Sequence, residues 1–319
     1  MSTQIPGLHH VTAIAGDPQR NVDFYTRVLG LRLVKLTVNF DSPDTYHLYF
    51  GDEKGTPGTI ITFFPWPSAP RGRRGAGMVD TVSFAVPEES LRFWLVRLAD
   101  HGVDFQGPQQ RFDEEVARFS DPDGLSLELV AVRGLGADDS GGAGLIPHEH
   151  AIRGFFGVTL LESQWEETES FLRTAMGFQT AASEGRRVRF TSGGDALGTF
   201  VEVLRAPSQA PGDVAVGTVH HIAWRTPDVA TQGVWRKSLL DKGFSVTPTI
   251  DRKYFSSIYF REPGGVLFEI ATDPPGFAVD EDEAKLGRRL MLPPWFEDRR
   301  ANITASLPPL VLPDVERAA

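Results

Sequence analysis

The sequence contains no cysteine. Disulfide frameworks, thiolate metal sites and thiol nucleophiles are therefore excluded, and any metal must be held by His, Asp or Glu. Long hydrophobic runs are also missing, for no stretch approaches the roughly 20 apolar residues of a membrane helix. Met1 to Gly7 lacks the basic start and apolar run of a secretory signal, so an intracellular, cytoplasmic protein with no membrane partner is expected. Basic charge is in deficit: 32 Lys and Arg stand against 42 Asp and Glu, a net charge of −10. That balance opposes binding of a polyanion over a broad surface and argues against nucleic acid as a partner. The one basic cluster, Arg71, Arg73 and Arg74, lies in a Pro/Gly-rich stretch and reads as a solvated connecting loop.

What is present is an ordinary globular composition over 319 residues, 41% hydrophobic and 23% charged, enough for a sizeable core. Within it one unit recurs. Leu8-His9-His10-Val11-Thr12 leads through Asp17-Pro18 to a helix with Val22, Tyr25 and Leu29, and Val219-His220-His221-Ile222-Ala223 leads through Pro227-Asp228 to a helix with Trp235 and Leu239. Both intervals, His10 to Asp17 and His221 to Asp228, are seven residues. Weaker copies begin at Thr81 and Gly157, with helical faces Leu91, Trp94, Leu95, Leu98 and Phe171, Leu172, Ala175, Met176. From His10, Thr81, Gly157 and His221, a glycine (Gly30, Gly102, Gly177, Gly243) follows 20, 21, 20 and 22 residues later, the stop signal of a helix.

After each glycine the pattern alternates, and each unit closes on a strand: Gly58 to Thr62, Gly124 to Glu128, Gly198 to Glu202 and Gly265 to Glu269. Successive starts lie 71, 76 and 64 residues apart, room for one strand, one helix and three further strands. The expectation is an α+β chain of four βαβββ modules at 6–66, 78–132, 153–205 and 217–272, with a linker at 133–152 and a tail at 273–319.

The opening strand holds His in modules 1 and 4, but Thr81 and Gly157 in modules 2 and 3. The closing strand holds Glu128, Glu202 and Glu269, but Thr62 in module 1. If modules 1 and 4 face each other, His10, His221 and Glu269 converge as two imidazoles and one carboxylate, a set suited to Fe(II) or Mn(II) with open positions remaining. Alternation along Val266 to Ile270 sets Glu269 apart from its apolar neighbours, and a buried carboxylate needs a partner. A lone strand histidine is more often structural; the coincidence of two at matching positions favours ligands. Glu128 and Glu202 have no histidine at the start of their own modules and read as structural or vestigial.

The modules and their His/His/Glu pattern resemble the vicinal oxygen chelate superfamily, whose fold has cupped mixed sheets. Gly7-Leu8-His9-His10-Val11-Thr12, Tyr46 to Asp52, Gly55 to Thr59, Val219-His220-His221, Tyr254 to Tyr259, Pro263 to Glu269 and Gly276 to Glu283 are similar to the hydroquinone ring-cleaving dioxygenases, which open rings such as 2,6-dichlorohydroquinone. The resemblance implies an extradiol-type enzyme of aromatic catabolism, an oxidoreductase that places both atoms of O2 in a small aromatic substrate. A homo-oligomer is compatible with it. It implies His220 as base, Tyr259 as proton donor or clamp, Arg252 as stabiliser of negative charge, and Thr12, Arg252 and Tyr259 as substrate contacts. Catechol-cleaving relatives carry their first histidine in module 3, where this chain has Gly157. Two rivals stand beside this reading: a glyoxalase- or fosfomycin-type metal enzyme that does without O2, and a bleomycin-resistance-type binding protein. One conflict is visible: alternation sends His220 to the face opposite His221 unless the strand is bulged there.

Overall fold

The protein is described by a computed structural model for residues 4–136, 145–193 and 196–312; positions 137–144 of the expected linker and the end of the tail lie outside these residues. A β-α-β-β-β order occurs four times. The first runs β1 (Leu8–Ala15), α1 (Pro18–Asp23), β2 (Arg32–Asn39), β3 (Ser42–Gly51) and β4 (Ile60–Pro65). The second runs β5 (Met78–Pro87), α2 (Leu91–Asp100), β6 (Phe105–Arg111), β7 (Glu114–Ser120) and β8 (Ser126–Val132). The third runs β9 (Gly154–Glu162), α3 (Trp165–Thr174), β10 (Gln179–Glu184), β11 (Arg187–Thr191) and β12 (Phe200–Arg205). The fourth runs β13 (Thr218–Thr226), α4 (Val229–Asp241), β14 (Ile250–Asp251), β15 (Ser256–Arg261) and β16 (Leu267–Thr272), and α5 (Arg300–Ser306) follows in the tail.

The aspartates seven residues after His10 and His221 are helix caps: Asp17 accepts from Arg20 N and Asp228 from Thr231 N. The first helix departs from the regular α-helix expected through Leu29. It widens into a π-turn at Phe24–Val28, which buries Tyr25 and lets its hydroxyl donate to Asp121 Oδ2 at 3.2 Å.

The strands form two curled eight-stranded sheets. Modules 1 and 4 share one, in the order β14-β15-β16-β13-β1-β4-β3-β2, and modules 2 and 3 share the other, β10-β11-β12-β9-β5-β8-β7-β6. β1 and β13 are antiparallel neighbours, which sets the two histidine-bearing strands side by side. No helix among the described residues is long and apolar enough to cross a membrane.

The loop around Arg71 is less free than its composition suggests. Arg71 bridges Val216, Arg73 pairs with Asp213 at 2.9 Å, and Arg74 pairs with Asp80, so the two inter-module connections run together. The three arginines remain solvated, as expected, and Arg73 meets its partner Asp213 across 140 positions.

The tail returns to module 1. Leu290 bridges Leu36, Met291 N donates to Leu36 O at 2.9 Å, and Phe277 packs on Tyr49 and Tyr254. Lys35, 0% exposed on β2, donates to Asp280 at 2.8 Å and to Glu281. Removing one partner of a buried pair strands the other charge, so Lys35→Ala is expected to cost about 3 kcal/mol. Denaturant titration measures the loss, and early proteolytic cleavage in the tail locates it.

A second buried cluster predicts a pH effect. Glu162, at the end of β9, is nearly inaccessible, and burial and the neighbouring Glu262 push its carboxyl up to about 8. Glu262 is better served, accepting from Thr168 Oγ1 at 2.7 Å and from two backbone N–H groups. A carboxyl with a raised folded pKa contributes stability that is whole below its ordinary 4.5 and is lost as pH rises through about 8. Glu162→Gln should therefore flatten the fall in Tm between these pH values, the difference between variant and wild type being greatest above pH 8.

Candidate metal centre

Two irregularities in the β1–β13 ladder build the site. Leu8 pairs with Trp224 and His10 with Ala223, which leaves His9 as an extra residue; Thr12 pairs with His221 and Ala13 with Val219, which leaves His220 as an extra residue. Each is a β-bulge, and a bulge turns consecutive side chains toward the same side. The conflict over His220 is resolved by this geometry: Nδ1 of His220 lies 2.8 Å from Nδ1 of His221, and Nδ1 of His9 lies 2.9 Å from Nδ1 of His10.

The other ring nitrogens of the inner histidines face one carboxylate. His221 Nε2 lies 3.0 Å and His10 Nε2 lies 3.4 Å from Glu269 Oε2. Ala223 makes room between them, pairing with His10 on one side and with Glu269 on the other. Offering one atom each, His10, His221 and Glu269 have ligand atoms within 4.8 Å of one another. Ser257 Oγ donates to Glu269 Oε1, whereas Oε2 is buried with no hydrogen-bond donor among the described residues. With both Nδ1 atoms engaged by neighbouring histidines, an orphaned carboxylate oxygen and two imidazole nitrogens converge. Such a group repels itself unless a cation or proton sits among its lone pairs, so the donors fit a divalent metal of the 2-His-1-carboxylate type.

Electrostatics agree. Burial would raise the Glu269 carboxyl, but His10 and His221 outweigh it and hold it well below the usual carboxylate range. Burial lowers His221, with Glu269 opposing. It also lowers His9 and His47, and with His221 takes His220 down to about 3. These imidazoles stay neutral at pH 7, the state in which imidazole ligates metal or relays a hydrogen bond.

The remaining expected residues fall around this centre. Thr12 pairs with His221 across the strands and lies 3.3 Å from Thr62 through their hydroxyls. Tyr259 pairs with Glu269, its ring 5.8 Å from that of His221. Arg252 donates Nε to Tyr259 OH at 3.2 Å and Nη1 to Asp41 at 2.9 Å, combining a site contact with a rim ion pair. Burial and Glu269 raise the Tyr259 phenol, against Arg252, so it keeps its proton.

Sequence reasoning missed His9, His47, Tyr49, Phe255 and Ser257. The repeat held a signal for some of them. Tyr49 stands to Thr62 as Tyr259 stands to Glu269, and His47, two residues before Tyr49, matches Ser257 two residues before Tyr259. His47 Nε2 lies 2.6 Å from Thr62 Oγ1 and Tyr49 OH lies 2.8 Å from His47 Nδ1, so the half of the cup without a carboxylate is filled by a neutral hydrogen-bond chain. Phe255 packs on the rings of both His9 and His10.

The second sheet repeats the frame with different chemistry. Its bulge residues are Asp80 and Phe156, and Thr81 and Gly157 stand where the histidines would. Arg111 binds Glu128 through two nitrogens at 2.8 and 2.6 Å, and Arg187 and Arg189 bind Glu202 at 2.8 Å each. These glutamates are neutralised by arginine.

Comparison with known proteins places this geometry. The family model of the Glyoxalase/Bleomycin resistance protein/Dioxygenase superfamily matches residues 7–129 and 157–270. The chain is 46% identical over 316 residues to MhqO of Bacillus subtilis, provisionally named a ring-cleaving dioxygenase, covering 99% of this chain and 100% of that protein. It is 35% identical over 302 residues to the chlorohydroquinone/hydroquinone 1,2-dioxygenase of Sphingobium indicum, covering 92% and 93% of the two chains. A crystal structure of a provisionally named dioxygenase from Bacillus subtilis superposes with a TM-score of 0.93 at 46% identity, over 98% of this chain and 99% of that one. The chain thus belongs to the Glyoxalase/Bleomycin resistance protein/Dioxygenase superfamily, on the branch that holds its ring-cleaving dioxygenases.

Proposed function

We propose that the protein is an Fe(II)-dependent, extradiol-type dioxygenase that opens the ring of a hydroquinone or related dihydroxy-aromatic with O2. The observation that carries the reading is the convergence of His10 Nε2, His221 Nε2 and the unpartnered Glu269 Oε2. Relatives named for ring cleavage, one of them for hydroquinones, support it. Fe(II) held there supplies a Lewis-acidic, redox-active centre with positions left for substrate and O2, and Mn(II) suits the same donors.

The protein's own groups do the rest. A histidine that ligates metal through Nε2 carries its proton on Nδ1, so the 2.8 Å contact of His221 with His220 is a donation to His220 Nδ1. The His220 proton then resides on Nε2. In this tautomer His220 offers a hydrogen bond to a substrate oxygen, the reverse of the base role that the family resemblance implies. Tyr259 keeps its phenolic proton and accepts from Arg252, which leaves it a proton donor oriented beside Glu269. The pairing of Thr12 with His221 across the strands supports Thr12 as a contact for a substrate oxygen.

Of the rivals, the glyoxalase type calls for a second carboxylate where Thr62 stands, and a binding protein has no use for three buried, converging donors. Protein purified without oxygen should contain iron, and the Fe(II) form should consume O2 in step with methyl- or chlorohydroquinone. Zinc substitution should silence it, since Zn(II) has no redox role. Turnover by the zinc form without oxygen would favour the isomerase reading, and binding without turnover in any metal form would favour the binding protein.

A further inference from the structure

The first sheet has β14 and β2 at opposite ends of its eight-strand order, yet the turns beside these edges meet. Arg252, after β14, donates Nη1 to Oδ2 of Asp41, between β2 and β3, at 2.9 Å. The same guanidinium donates Nε to Tyr259 OH at 3.2 Å, opposite Glu269. A second crossing joins the same parts through the tail: Asp280 accepts from Lys35 on β2 at 2.8 Å, contacts Lys253 at 2.7 Å and accepts from Tyr254 OH at 3.2 Å.

The crossings differ in permanence. Lys35 is 0% exposed and its pairing is buried, while the second pair reaches solvent through Asp41, whose side chain is 73% exposed against 20% for Arg252. A buried pair is costly to break, whereas an exposed pair biases an equilibrium by a factor of about five at most and is screened by salt. Between them Lys253 takes a φ of 66°, a left-handed conformation that a lysine holds only when its surroundings fix it. Its side chain on Asp280 and its N–H on Asp251 Oδ1 at 2.6 Å provide that anchoring. One end of the turn is pinned and the other is held by a weak latch.

We infer that Asp41 is a positioning residue for Arg252, and that the Asp41–Arg252 pair is a gate across the cup. Closed, it sets Arg252 on Tyr259 and retains the dihydroxy-aromatic; open, it lets the ring enter and leave. The inference rests on the functional reading above and adds to it the residue that controls access.

The test is the release rate of methylhydroquinone from the full-length, Fe(II)-loaded protein without oxygen, by stopped flow. Raising salt from about 0.05 M to about 0.5 M shortens the screening length several-fold and should speed release from the wild type about 2–5-fold. Asp41→Asn should release at the fast rate at both salt concentrations with its iron content unchanged, and Asp41→Glu should restore the salt dependence. Methylhydroquinone is a neutral phenol, so the salt effect reports the pair rather than attraction of the ligand. A wild type without salt dependence, an Asp41→Asn variant with the wild-type slope, or loss of iron from that variant would overturn the inference alone. Wild-type protein that binds no methylhydroquinone would overturn the functional reading, and the inference with it.

Discussion

Alanine at His10, His221 or Glu269 is expected to abolish metal retention and ring cleavage, with the fold intact. Each side chain is one of three donors, and two remaining donors leave too little affinity to hold a divalent ion through purification. The fold should survive because the backbone ladders that join β1, β13 and β16 are made without these side chains. Metal analysis and thermal denaturation of the metal-free proteins check both halves. Glu128→Ala and Glu202→Ala are the contrast. They should keep full metal and lose up to roughly 3 kcal/mol of stability, because buried Arg111 would keep only its 3.7 Å contact with Glu202, and buried Arg189 only Glu114. Metal loss in the Glu202 variant, or full occupancy in the Glu269 variant, would mean the wrong sheet has been chosen.

At saturating Fe(II), His220→Ala should lower turnover by about 10²–10⁴-fold, the range for removing a group that handles a proton in the reaction. Its metal affinity should fall by roughly 10–100-fold, since His221 Nδ1 loses its acceptor. Two further measurements separate donor from base. A lost base is compensated at high pH, where the substrate ionises unaided; a lost donor is not, so the deficit should persist there. Glutamine at 220 can accept from His221 and donate onward, and partial rescue by His220→Gln would fit the donor alone. A deficit that vanishes at high pH, without rescue by glutamine, would return His220 to the base role.

The exclusions came from composition: without cysteine the metal donors had to be His, Asp or Glu. The four-unit repeat and the candidate ligand set were legible because a repeat carries its own control. His10 and His221 stand out against Thr81 and Gly157, and Thr62 against three glutamates, without any knowledge of contacts. The paired aspartates showed where two helices begin, because capping is a local interaction that neighbours in sequence settle.

What tertiary structure decided lies between residues far apart in the chain. The bulges at His9 and His220 exist only in the register between β1 and β13, so no single strand could show that both doublets turn inward. Lys35 looked like any lysine on a strand until Asp280, 245 residues later, closed over it. Arg252 met Asp41 across 211 residues because the sheet curls edge toward edge. Local pattern reports which side chains a segment can present; which of them share a face, a proton or a charge depends on strand register and curvature, and those are properties of the assembled sheet.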